Sequence, residues 1–210
     1  MAMQPARQYM TFEQYLLLVN NSDRRYEYFD GDVRLLAGGT SNHAAIALNC
    51  GIALDQALDD DVVCRPYVSD KLIRVTPTKV VIPDVVVSCD TADHGEAQII
   101  DSPMLVVEVL SRSTEMTDRF VKLALYLAKE SIQDILLMSQ VIQRVELFSR
   151  STTGWIYSQY GAGQRIFLAS LDIEIEVRQL YRRLSIPAMI ETVEGEESAE
   201  QGEQEPGNTE

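Results

Sequence analysis

The segment Pro103-Met-Leu-Val-Val-Glu-Val-Leu-Ser constrains this chain more than any other. Its apolar residues fall on both faces of a period-two element, so a strand here is covered from both sides and belongs inside a layered sheet. Glu108 nevertheless stands in the middle of it. A carboxylate in such surroundings needs a counter-charge or a cation, because an unpaired buried charge is strongly destabilising. Two partners are open on sequence grounds. One is an arginine, with Arg65, Arg112 and Arg119 as candidates for a purely structural salt bridge; the other is a bound cation.

The flanking sequence supplies the other layers. Thr11 caps a short amphipathic helix. Arg25 to Leu36 reads as a hairpin around Asp30-Gly31, with Glu27 and Phe29 on one face and Tyr26, Tyr28 and Asp30 on the other. Gly38-Gly39 ends that unit, and Thr40 or Ser41 caps a helix running through Leu58. Strands are expected over 62–68 and 71–75. The β-branched run Val80 to Val87 is broken by Pro83, so it must bend there or lie at an edge. A helix is expected between Thr114 and Glu130, capped by Thr114 or Thr117, with Asp118, Lys122 and Tyr126 in one polar row at i, i+4 and i+8. Strands follow over 132–138, 144–148, 155–160 and 165–175, then a helical turn around Leu180 to Leu184. This order predicts a mixed α/β (α+β) fold: one domain over residues 1–190, with a mixed sheet flanked by helices.

Charge sets limits on partners. The net charge is −14, but residues 191–210 hold eight of the 32 acids and none of the 18 bases, which reads as a disordered acidic tail. The remaining body is only mildly acidic, so local binding of DNA is compatible with it while unspecific wrapping of long DNA is not. No run of eighteen apolar residues or signal-peptide order occurs, which points to a cytoplasmic protein without membrane contact. Cys50, Cys64 and Cys89 lack metal-ligand spacing and are expected as buried free thiols.

Candidate chemistry centres on oxygen donors. Asp84 lies at the proline-bent strand, Glu108 in the following strand, and Lys122 on the next helix. Two carboxylates that hold a hard cation, with a lysine beside them, suit phosphodiester hydrolysis. Each residue also has a plain reading: Asp84 as a turn aspartate, Lys122 as an i, i+4 partner of Asp118 on a solvated face, Glu27 as a hairpin surface residue, and His43 as a residue opening a helix.

At these residues the sequence resembles a known family. Arg25-Tyr-Glu-Tyr-Phe-Asp-Gly-Asp, His43 after a Gly/Thr/Ser stretch, Ile82-Pro-Asp-Val, Val106-Val-Glu-Val-Leu-Ser-Arg-Ser-Thr and Asp118-Arg-x-x-Lys-x-x-x-Tyr126 together are similar to the Uma-type family of restriction-endonuclease-like proteins, within the PD-(D/E)XK nucleases. The resemblance spans roughly residues 10 to 185. It implies a restriction-endonuclease-like core, Mg²⁺ (or Mn²⁺) on Asp84 and Glu108 with the Val109 carbonyl completing the shell, and Lys122 as the family's catalytic lysine; on the residues themselves, Glu27 is a candidate for a further oxygen donor, and His43 and Tyr126 are candidates for supporting or substrate-positioning groups. It also implies a DNA substrate and a homodimer. The sequence departs from the pattern at Leu110, where the superfamily carries lysine, at Gly38-Gly39, where proline is common, and at Ile135-Leu-Leu-Met-Ser-Gln. A non-catalytic DNA-binding or protein-interaction module on the same fold is the alternative.

Overall fold

The computed structural model describes residues 9–60, 62–111, 116 and 118–188. Helix α1 (Phe12–Asn20) opens with a full capping box, in which Thr11 accepts from the Gln14 amide and Gln14 reaches back to the Thr11 amide. Strands β1 (Tyr26–Phe29) and β2 (Asp32–Leu35) form the expected hairpin, with Asp30 and Gly31 both at positive φ. Helix α2 (Ser41–Ala57) is capped by Thr40. Then come β3 (Arg65–Val68), β4 (Leu72–Thr76), β5 (Lys79–Val81), β6 (Val85–Ser88), the short β7 (Ile99–Ile100) and β8 (Pro103–Leu110). A π-helical turn (Asp118–Lys122) continues into α3 (Leu123–Ala128). The remainder is β9 (Asp134–Ser139), β10 (Arg144–Ser151), β11 (Gly154–Gly161), β12 (Arg165–Leu168), β13 (Ile173–Glu176) and α4 (Val177–Leu180). The expected caps Thr114 and Thr117, Arg112, and the acidic segment 191–210 lie outside the described residues. Among the described residues no helix is long and apolar enough to cross a membrane.

Two larger sheets carry the fold, a six-stranded one in the order β11-β10-β9-β8-β6-β3 and a five-stranded one in the order β2-β1-β5-β4-β7. Strand β8 is internal in the first, antiparallel to β6 and parallel to β9. Its residues alternate between two cores. Leu105, Val107 and Val109 pack with Ile46, Cys50 and Leu54 of α2 and with β12, β13 and α4. Val106 and Leu110 pack on the opposite face with Phe29, Ile73 and Val81 of the five-stranded sheet and with Tyr126 of α3. Period two therefore sends Glu108 into the layer between the sheets, next to α3.

Of the two expectations at Pro83 the bend holds and the edge does not. The run Val80 to Val87 is divided by it, and the chain passes from β5, internal in one sheet, to β6, internal in the other. The expected strand 165–175 is instead a hairpin, because a turn from Leu168 to Leu171 and the left-handed Asp172 reverse the chain between β12 and β13. The last helical turn starts earlier than expected, where Glu176 and Gln179 cap one another.

The cysteine expectation is corrected at two of its three positions. Strands β3 and β6 pair with Arg65 opposite Ser88, and one register step further on Cys64 meets Cys89 in a disulfide. A separation of 25 residues gave no hint of this, since the contact depends on a long-range register. Cys50 is the buried free thiol that was expected, and burial pushes its pKa up to about 12.

Candidate active site

The same register logic assembles the site. With Val85 opposite Val107, the next step back on β6 and forward on β8 sets Asp84 against Glu108, although 24 positions separate them in the chain. The Asp84 amide donates to the Val107 carbonyl (3.1 Å), and the Asp84 carboxylate accepts from the Val109 amide (2.7 Å). The Pro83 crossing is thus closed by two hydrogen bonds to β8. His43, in the first turn of α2, brings Nε2 within 3.2 Å of Asp84 Oδ2. Gly39 permits that approach: a Cβ there would lie 2.8 Å from the His43 ring. Thr40, which caps the helix, also donates to Gln140, and Gln140 donates to the Leu110 carbonyl, so the start of α2 is tied to the end of β8.

Glu108, 3% exposed, accepts from Tyr126 (2.6 Å) and from Lys122 (3.2 Å). No arginine meets it among the described residues: Arg119 forms a bidentate pair with Glu146, and Arg65 donates to backbone carbonyls. Lys122 is itself enclosed. Its ammonium lies 2.8 Å from Glu27, 3.2 Å from Glu108 and 3.7 Å from Asp118, and 3.3 Å from the Ile82 carbonyl. Glu27 also accepts from the Ile82 amide (3.1 Å). Every one of these side chains is buried, so the i, i+4 pair of Asp118 and Lys122 exists but on an interior face.

Electrostatics follow from that burial. Burial would lower the Lys122 pKa, but Glu108, Glu27 and Asp118 outweigh it and hold the ammonium above the usual lysine range. Lys122 is therefore a cation at neutral pH and no proton acceptor. Burial raises the Glu108 carboxyl well above its ordinary value, with Lys122 opposing this and Asp84 and Asp118 adding to it. Burial likewise keeps Tyr126 protonated, as a donor to Glu108 must be.

Asp84, Glu108, Asp118, Lys122 and His43 line one cleft of about 60 Å³, whose mouth is formed by Arg25, Gly38 and Gly39. Glu27 contacts Lys122 and Tyr126 contacts Glu108, but neither is among the residues that line the cleft. Asp118 and Arg25 each stood in the sequence at the start of a motif that carries the family resemblance, Asp118 also in the polar row, but neither was expected at the site. Among the described residues no three His, Cys, Asp or Glu form a ready-made metal cage. The cleft instead offers the hard oxygen donors of Asp84 and Glu108, a set suited to a small divalent cation that keeps part of its shell as water.

The comparisons with known proteins bear on the family and the fold. Residues 12–186 match the family model Uma2, described as "Putative restriction endonuclease". The chain is 35% identical over 175 residues to the uncharacterized protein slr1290 of Synechocystis sp., covering 82% of this chain and 92% of the relative. A second uncharacterized Synechocystis protein, sll1609, is 26% identical over 145 residues, covering 67% of this chain and 81% of the relative. A crystal structure from Anabaena variabilis, described as "a putative nuclease belonging to DUF820", superposes with a TM-score of 0.64 at 16% identity, over 81% of this chain and 97% of that one, which bears on the fold. With nearly the whole described chain matched by the family model, the protein belongs to the Uma2 family of restriction-endonuclease-like proteins.

Proposed function

We propose that the protein is a metal-dependent endodeoxyribonuclease. The observation that carries this reading is the convergence of Asp84, Glu108 and Lys122 on one cleft from three separate elements. In this reading Asp84 and Glu108, with the main-chain carbonyl of Val109, hold Mg²⁺ or Mn²⁺. A divalent cation there supplies Lewis-acid polarisation of the scissile phosphate and of the attacking water. Lys122, fixed in its charged form, stabilises the negative charge that grows on the phosphate oxygens. Tyr126 fixes the Glu108 carboxylate, His43 fixes that of Asp84, and Glu27 and Asp118 hold Lys122 in place. Such partners set the orientation of the groups that act. Lysine on the helix thereby takes the place of the residue that Leu110 lacks. DNA is the substrate and the setting is the bacterial cytoplasm. The active form is a homodimer, because cutting both strands of a duplex takes two sites.

Titration of Mg²⁺ and Mn²⁺ into the wild type and into Glu108→Ala, followed by incubation of each with supercoiled and single-stranded DNA, tests the reading. Metal binding and nicking by the wild type, both lost in the variant, are the expected result. A wild type that binds neither cation would leave a nuclease fold used as a binding module.

A further inference from the structure

We propose that Arg25 grips the phosphate backbone of the strand that enters the cleft. The inference rests on the nuclease reading and extends it to how the substrate is held. Period two places Arg25 on the same face of the hairpin as Glu27, one step outward; Arg25 lines the cleft, while Glu27 is buried against Lys122. The Arg25 side chain is 34% exposed, and its ion pair with Asp70 is loose: 3.8 Å, to a carboxylate that is itself 76% exposed. A pair of that kind is worth little in water, and a phosphate can displace it.

The charge balance of the cleft calls for such a group. Four carboxylates, Glu27, Asp84, Glu108 and Asp118, surround a single ammonium, Lys122, which three of them already engage. Formally, a divalent cation on Asp84 and Glu108 still leaves one negative charge over, and a polyanion is repelled by a site of its own sign. Arg25 removes that excess. The charge of Lys122 is already counted in that sum, and His43 is turned toward Asp84. Among the described residues that line the cleft, Arg25 is thus the remaining permanent cation, and its planar fork matches two oxygens of one phosphate. The whole-chain charge of −14 makes a local contact of this kind more necessary.

The test is fluorescence anisotropy of a short labelled DNA duplex, and of its separate strands, in Ca²⁺ over a series of salt concentrations. The proteins compared are the full-length wild type, Arg25→Ala, Arg25→Lys and, as a charge control, Arg178→Ala, which removes an exposed guanidinium paired with Glu176. Arg25→Ala is expected to bind roughly tenfold more weakly, with a log-log salt slope shallower by about one. Arg25→Lys recovers part of the affinity, and Arg178→Ala matches the wild type. Wild-type affinity and slope in Arg25→Ala would overturn the inference. So would weaker binding at an unchanged slope, since that marks a structural effect and no lost phosphate contact. A wild type that binds no DNA in any form overturns the nuclease reading itself, and this inference with it.

Discussion

Lys122 Nζ lies 2.8 Å from Glu27 Oε1, and that contact joins the π-helical turn ahead of α3 to the β1–β2 hairpin on the same face of β8. Both groups are buried, so removing either leaves a buried charge without one of its partners. Lys122→Met leaves three carboxylates without their cation and is expected to cost about 3–5 kcal/mol of stability, together with a loss of nicking on the order of a hundredfold or more. Glu27→Gln is also destabilising. The double variant loses clearly less stability than the two single variants added together, as read by urea denaturation. Strict additivity would mean that the pair is not coupled.

Gly39 and His43 make a second, sharper case. Because a Cβ at position 39 would sit 2.8 Å from the His43 ring, Gly39→Ala must push that ring off Asp84. Loss of such a supporting contact is expected to weaken Mg²⁺ or Mn²⁺ binding by about 10-fold to 100-fold, with His43→Ala giving a similar drop and the two together giving no more than either. Gly39 is exposed, so stability stays close to that of the wild type. Calorimetric titration reads the first effect and thermal unfolding the second. Unchanged metal affinity in both single variants would remove His43 from the site.

These relationships differ in how far the sequence revealed them. The interior place of Glu108 was legible, because a doubly apolar strand leaves a carboxylate nowhere else to be, and period two correctly separated Glu27 and Phe29 from Tyr26 and Tyr28. The meeting of Asp84 with Glu108 was expected from adjacent strands, yet its register became visible only in the pairing of Val85 with Val107. Asp118 was harder to place, since an i, i+4 spacing to Lys122 is the same on a solvated face and on a buried one. The split of residues 165–175 into two strands was hidden because Asp172 adopts a left-handed conformation without the glycine that usually signals it.

The disulfide depends on register in the same way and is open to direct measurement. Without reductant, the denatured protein is expected to titrate one thiol, Cys50, and after reduction three. Closing a loop over a separation of 25 residues stabilises by about 3 kcal/mol in the chain-entropy account, so Cys64→Ser/Cys89→Ser should unfold at lower urea by a corresponding amount. Three thiols before reduction would show that the pair is open in solution.

Arg119 and Glu146 allow a prediction with a sign fixed by pH. Two hydrogen bonds from the Arg119 guanidinium, at 2.8 and 2.6 Å, hold the Glu146 carboxyl below its ordinary value near 4.5, with burial opposing them. A carboxyl whose folded-state pKa is depressed contributes stability that is present above the unfolded-state value and is lost as the pH falls through the folded one. Glu146→Gln is therefore expected to cost about 1–2 kcal/mol at neutral pH, and its deficit against the wild type should close as the pH drops below the ordinary glutamate range. Urea denaturation of both proteins at neutral and at strongly acidic pH measures this. A deficit that persists unchanged in acid would show that packing of the β10 side chain, rather than its charge, accounts for the loss.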